Sequence, residues 1–227
     1  MIFPFLQIDT EAITLYEPTS VSLVSMAIKG GWVMLPLLLL SVVALYIIGE
    51  RWWTIRKASK QDVHFMNNIR DFIIDGKISS AKHLCQIQTS PTARFVEQGL
   101  DRIERPLGDI QAALENVANL EIARLERGLP MLSTIAGGAP MLGFLGTVIG
   151  MIQAFFNMSQ AGNNIDITLL SGGIYTAMVT TVAGLIVGII AYFGYNYLSA
   201  RIGSIMHTIE HNMIDFMEVL QEKGSKR

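Results

Sequence analysis

The sequence predicts an all-α, polytopic membrane protein with three transmembrane helices and long helices projecting into the cytoplasm. Three observations carry this reading. Hydrophobic residues make up 51% of the 227-residue chain and charged residues 16%, well below the roughly 25% charged of soluble domains. The charges are also unevenly placed: between Arg127 and Arg201 the only one is Asp166. A soluble domain cannot leave so much uncharged surface in water, whereas two membrane spans joined by a short loop account for it. Elsewhere, apolar residues recur at helical spacing, with no strand-like alternation and no hairpin dipeptide.

The first 30 residues contain a stretch, 18–28, that alternates small polar and apolar side chains. It reads as an amphipathic helix lying on the membrane surface, or as an extension of the span that follows. The first basic residue is Lys29, so the start lacks the positive region that precedes a signal peptide's apolar core. Span one, 31–50, is almost continuously apolar and carries Trp32 at one end and Trp52 and Trp53 just past the other, where amphipathic rings suit the membrane interface. Pro36 falls near the first helical turn, where a missing N–H costs least.

Residues 51–130 hold most of the charge and read as a cytoplasmic helical domain. Helices are expected at 63–75, 79–88 and 92–103, punctuated by Gly76, Ser90-Pro91 and Pro106. A longer one starts near Leu107, with Leu107, Ile110, Leu114, Val117 and Leu120 at helical spacing. Spans two (131–158) and three (167–198) exceed the roughly 20 residues that cross a bilayer, so they should tilt or project beyond it. A short loop, 159–166, joins them, and a C-terminal helix and tail follow at 199–227. Basic residues fix the topology. Arg51, Arg56, Lys57 and Lys60 follow span one, Arg201 follows span three, and the short loop has no Lys or Arg. The positive-inside rule places the N-terminus and short loop in the periplasm, and the middle domain and C-terminus in the cytoplasm. The single cysteine, Cys85, excludes an intramolecular disulfide and suits a reducing compartment.

Within the spans, Gly143, Gly146 and Gly150 on one helix, and Gly184 and Gly188 on the other, have the small-residue spacing that lets membrane helices pack closely. Thr147 sits mid-span two; Thr176, Thr180 and Thr181 sit mid-span three. A buried threonine can simply bond its own helix's backbone. Four at matching depth point to a polar, pore-lining surface that orders water. At about 100° per residue, Gly173, Ala177, Thr181, Gly184 and Gly188 fall on one stripe, with Thr180 and Thr176 on its flank. Hydroxyls cannot store a proton, and neither span contains an acid or histidine to do so. A proton path here needs a carboxylate from another chain.

Other candidates carry less. Arg124, Arg127 and Arg201 should gather at the cytoplasmic membrane face, as anchors or as a site for anionic lipid head groups. His207 and His211 lie one turn apart and could share a metal, but no further ligands stand near them in sequence, so a solvated face explains them and no metal site is assigned. There is no phosphate loop, nucleophile elbow or Cys/His cluster, so neither an enzyme nor a cofactor is indicated. A net charge of −2 gives no nucleic-acid signal.

The strings GGWVMLPLLLLSVVALYIIGER (30–51), APMLGFLGTVIGMIQAF (139–155) and SGGIYTAMVTTVAGLIVGIIAYFGYNYL (171–198) closely resemble the ExbB/TolQ/MotA family of proton-channel subunits. The resemblance covers nearly the whole chain and its order of elements. It implies a homopentamer whose second and third spans line a central pore. An ExbD-like single-span partner inside would supply an essential aspartate, and work would pass to a TonB-like protein that energises outer-membrane transport. The family's pore threonines map by motif onto Thr147 and Thr181. Many relatives carry a glutamate five residues before the second threonine; here Thr176 stands there. That departure makes dependence on the partner's aspartate stronger. The rival readings are a TolQ-like or motility stator subunit, or a non-conducting scaffold for partner helices.

Overall fold

The computed structural model describes residues 30–59, 64–88, 90–160 and 167–225. The expected surface helix at 18–28 and most of the short loop lie outside these. Seven helices make up the described chain: α1 Met34–Ala58, α2 Phe65–Ile74, α3 Ile78–Ile87, α4 Pro91–Leu100, α5 Leu107–Glu126, α6 Leu129–Gln160 and α7 Ile167–Ser225. No strand occurs among the described residues. Three helical stretches are long and apolar enough to cross a membrane: one is α1, one contains α6 and one is α7.

Local chemistry sets the boundaries. Gly31 has φ +71° just ahead of α1, and Pro36 lies in that helix's first turn. Gly76, at φ +75°, ends α2. Its N–H bonds to the Ile73 carbonyl and the Lys77 N–H to the Phe72 carbonyl, the paired bonds of a Schellman cap. Ser90 caps α4: its Oγ accepts the Ala93 N–H at 3.2 Å, and Pro91 occupies the first turn. Gly128, at φ +90°, separates α5 from α6.

Two helices run past the compositional limits of their spans. α1 continues beyond Glu50 to Ala58. α7 continues through Arg201 without a break for 59 residues, about 90 Å of helix. The change at Arg201 is therefore in side chains and not in backbone. The membrane part is a three-helix unit in which the α6–α7 hairpin is the most extensive contact and α1 packs on both. Much of its apolar surface faces outward, including Leu38, Val42, Phe144, Phe155, Ile189 and Phe193, as lipid or further subunits require. Beyond the spans, α2 to α5 close around the end of α7. Phe65, Phe95, Leu114, Ile209 and Phe216 form the fully enclosed centre of that bundle.

Candidate functional site: the α6–α7 seam

The seam is built from absent side chains. Gly143, Gly146, Gly150 and Ala154 of α6 are buried against Gly173, Ala177, Thr180, Gly184 and Gly188 of α7. A Cβ on Gly143 would stand 3.1 Å from the Gly184 Cα, and one on Gly150 would stand 3.0 Å from the Ala177 Cβ. Gly188 lies against Pro140: a Cβ there would come within 2.6 Å of the proline ring and 3.1 Å of the Ala136 carbonyl. That carbonyl lost its helical donor because Pro140 has no N–H. By contrast, a Cβ on Gly137, Gly138 or Gly172 would meet nothing within 4 Å.

Four threonines surround the seam in three different settings. Thr180 is 1% exposed and lies in it, directly opposite Gly146. Its Oγ1 is 2.7 Å from the Ala177 carbonyl and 3.3 Å from the Gly143 carbonyl. Thr181 is half-buried, and its Oγ1 donates to that same Gly143 carbonyl at 3.2 Å. A hydroxyl has one proton to give. Thr180 spends its proton on the shorter bond, which leaves the Gly143 carbonyl to Thr181. Thr147 is half-buried and donates to the Phe144 carbonyl at 2.6 Å. Thr176 is half-buried.

Periodicity placed Thr181 on the stripe, with Thr180 and Thr176 on its flank. The structure reverses Thr180 and Thr181. Gly146 leaves a notch that admits the Thr180 side chain, and this turns Thr181 onto the flank. From the midline of each buried row, Thr147 and Thr181 both lie roughly 60° round in the same rotational sense. In antiparallel helices the same sense means the same side. Both are next to the Gly146–Thr180 contact, which puts them within about 3 Å in height. Thr176 lies roughly 80° round in the opposite sense. The structure thus brings Thr147 and Thr181 onto one flank at one level, and sets Thr176 on the other.

The three arginines have different surroundings. Arg124 binds Glu121 at 2.5 Å, and its carbonyl accepts from Arg51 at 3.0 Å. Glu121, nearly buried, also holds Arg94 at 2.6 Å. Arg127 is exposed. Arg201 stacks over Tyr197 and shares a cavity with Arg56 of α1. Sequence reasoning missed this pairing and also the Glu121 clamp; only helical spacing within α5 hinted at the Glu121–Arg124 half. His207 and His211 each face their own acid, Glu210 at 3.3 Å and Asp215 at 3.5 Å.

The profile of the MotA/TolQ/ExbB proton channel family matches residues 87–211. A biopolymer transport protein of Synechocystis sp., designated ExbB-like 1, is 33% identical over 174 residues, which is 75% of this chain and 68% of that one. An ExbB homolog of Methanothermobacter thermautotrophicus is 34% identical over 135 residues, 60% of this chain and 47% of its own length. The Tol-Pal system protein TolQ of Haemophilus influenzae is 29% identical over 150 residues, 66% of this chain and 65% of its own. The chain thus spans about half to two thirds of the length of these relatives.

Proposed function

The chain belongs to the MotA/TolQ/ExbB proton channel family, and on that premise we propose that it is the pore-forming subunit of a motor driven by the proton-motive force in a bacterial inner membrane. Its N-terminus is periplasmic and its C-terminus cytoplasmic, the sense favoured by the basic residues after spans one and three. Five copies surround a pore, and an ExbD-like single-span partner supplies the titrating aspartate within it. The work passes to a TonB-like protein for transport across the outer membrane.

The observation that supports this reading is the shared flank of Thr147 and Thr181 in a helix pair whose described membrane part has no carboxylate. The chemistry follows from donors and acceptors. While Thr181 donates to the Gly143 carbonyl, its oxygen can accept from water or from a protonated carboxyl. To meet an ionised carboxylate, which only accepts, it must leave that carbonyl and rotate. Such an interhelical bond is worth about 0.6 kcal/mol, so the rotation is accessible thermally. Thr181 then distinguishes the two protonation states of the partner's acid at little energetic cost.

Thr147→Val and Thr181→Val should each impair energised uptake while the purified oligomer keeps its size, whereas Thr181→Ser should retain uptake. Normal uptake in both valine variants would remove the lining role. A TolQ-like role in envelope integrity is the second reading, favoured by the similarity to the Haemophilus influenzae protein. Deletion strains separate them: loss of substrate uptake with an intact envelope supports the first, and detergent sensitivity with normal uptake supports the second.

A further inference from the structure

A cavity of about 410 Å³ opens between α1 and α7 where both helices leave their apolar spans. Trp52, Ile55 and Arg56 line one wall, and Tyr197, Leu198 and Arg201 the other. The two guanidiniums are held alike. The Arg56 Cζ lies 5.1 Å from the centre of the Trp52 ring, and the Arg201 Cζ lies 5.6 Å from that of Tyr197. Ile55 and Leu198 are almost fully buried and form an apolar floor. A second cavity of about 330 Å³ adjoins the first, because Trp52 and Arg56 line both; it adds Trp53 and Lys57.

What sets this place apart is two stacked cations facing one crevice. Elsewhere, Arg51 pairs with Glu50, Arg70 with Glu222, Arg94 and Arg124 with Glu121, Lys77 with Asp75 and Lys82 with Asp101. Among the described residues, no carboxylate pairs with Arg56 or Arg201. Lys57, Arg102, Arg105 and Arg127 likewise have no carboxylate partner among the described residues, but they do not line the crevice as a stacked pair. Two stacked guanidiniums facing one crevice, with no acid among the described residues to balance them, suit an anion. The aromatic rings and the level of the site, at the first charge beyond span three and within two turns of the first charges beyond span one, put that anion at the membrane interface. The apolar floor suits the first carbons of an acyl chain.

We propose that this crevice binds an anionic phospholipid, its phosphate between Arg56 and Arg201 and its chains running along α1 and α7 toward the bilayer. The lipid would act as a bridge between helices far apart in sequence. Arg124 and Arg127 take no part.

Native mass spectrometry of the full chain, purified in mild detergent with whatever partner it retains, tests this with three probes: phosphatidylglycerol, phosphatidylcholine and inorganic phosphate. Phosphatidylglycerol should bind in preference to phosphatidylcholine, and phosphate should fail to displace it. Each arginine near a lipid surface is worth about fivefold, so R56Q/R201Q should weaken phosphatidylglycerol binding about 25-fold, with each single variant showing about fivefold. R124Q/R127Q should bind as the unaltered protein does, and R56K/R201K should recover part of the loss. The single variants keep the test valid if the double variant does not fold. The proposal is overturned by unchanged binding in the glutamine variants, by equal binding of phosphatidylcholine, or by displacement with phosphate. A change in subunit number without a change in lipid count would also overturn it, assigning the crevice to contact between copies.

Discussion

At the scale of single residues, the seam is governed by what a Cβ would strike. Gly143→Ala would place a methyl 2.9 Å from the Thr180 carbonyl and 3.1 Å from the Gly184 Cα. Both obstacles are backbone, so the helices must separate. Gly146→Ala would strike the Thr180 hydroxyl, and the side chain it would have to displace is buried. Overpacking of this kind costs about 1–3 kcal/mol, and it would also move Thr181 off the level of Thr147. Gly172→Ala meets open space and should leave stability unchanged or raise it by up to about 1 kcal/mol. Thermal unfolding in detergent checks the contrast. Equal midpoints for Gly143→Ala and Gly172→Ala would show that the seam is not packed as described. The same atoms explain what the sequence could and could not tell. The glycine spacing marked which faces of α6 and α7 meet. The choice between Thr180 and Thr181 was beyond it, because they are only about 100° apart and Gly146, on the other helix, decides which one enters.

At the scale of elements, the helices outside the membrane were legible because glycine, proline and serine punctuate them: the bonds around Gly76 and Ser90 are local. Contacts between elements distant in sequence were not. Glu121 of α5 joins Arg94 of α4 and Arg124 of its own helix. The two arginines are partly exposed, with 47% and 68% of their side chains accessible, against 7% for Glu121. Glu121→Ala therefore releases cations that water can accept, and its cost should be about 1.5–3 kcal/mol, seen as easier chemical unfolding of the bundle. Cys85, on α3, tests the same bundle by pH. Burial, and then the charge of Glu97, pushes its thiol up from 9.0 to about 12. The folded state thus favours the neutral thiol. Cys85's contribution to stability is fully present below about pH 9 and is lost as pH rises toward 12. At pH 8 the folded protein should resist maleimide, and denaturant should expose the thiol; rapid labelling of the native protein would contradict the burial. The crevice between Arg56 and Arg201 was equally illegible, since it exists only because α1 lies alongside α7.

At the scale of the whole molecule, the described chain leaves two surfaces without an occupant. Its membrane helices leave broad apolar faces uncovered, and the α6–α7 hairpin offers hydroxyls at a common level without a group that can hold a proton. Hydroxyls can pass or order a proton; they cannot store one at neutral pH. The proposed function therefore draws its acid from a second chain, whose contribution can be separated from that of this one. Liposomes containing this chain alone should show no proton flux above background under an imposed potential. Adding the partner expressed from a neighbouring gene should establish flux, and replacing that partner's membrane aspartate with asparagine should abolish it while the complex stays assembled. Flux from this chain alone would mean that water in the threonine-lined path suffices. No flux from the well-folded complex would mean that the subunit holds partner helices without conducting. Thr181→Val separates the remaining roles. If Thr181 responds to the charge of the partner's acid, its loss should lower flux and shift the pH at which flux is half-maximal, whereas a purely structural threonine would lower flux at every pH alike.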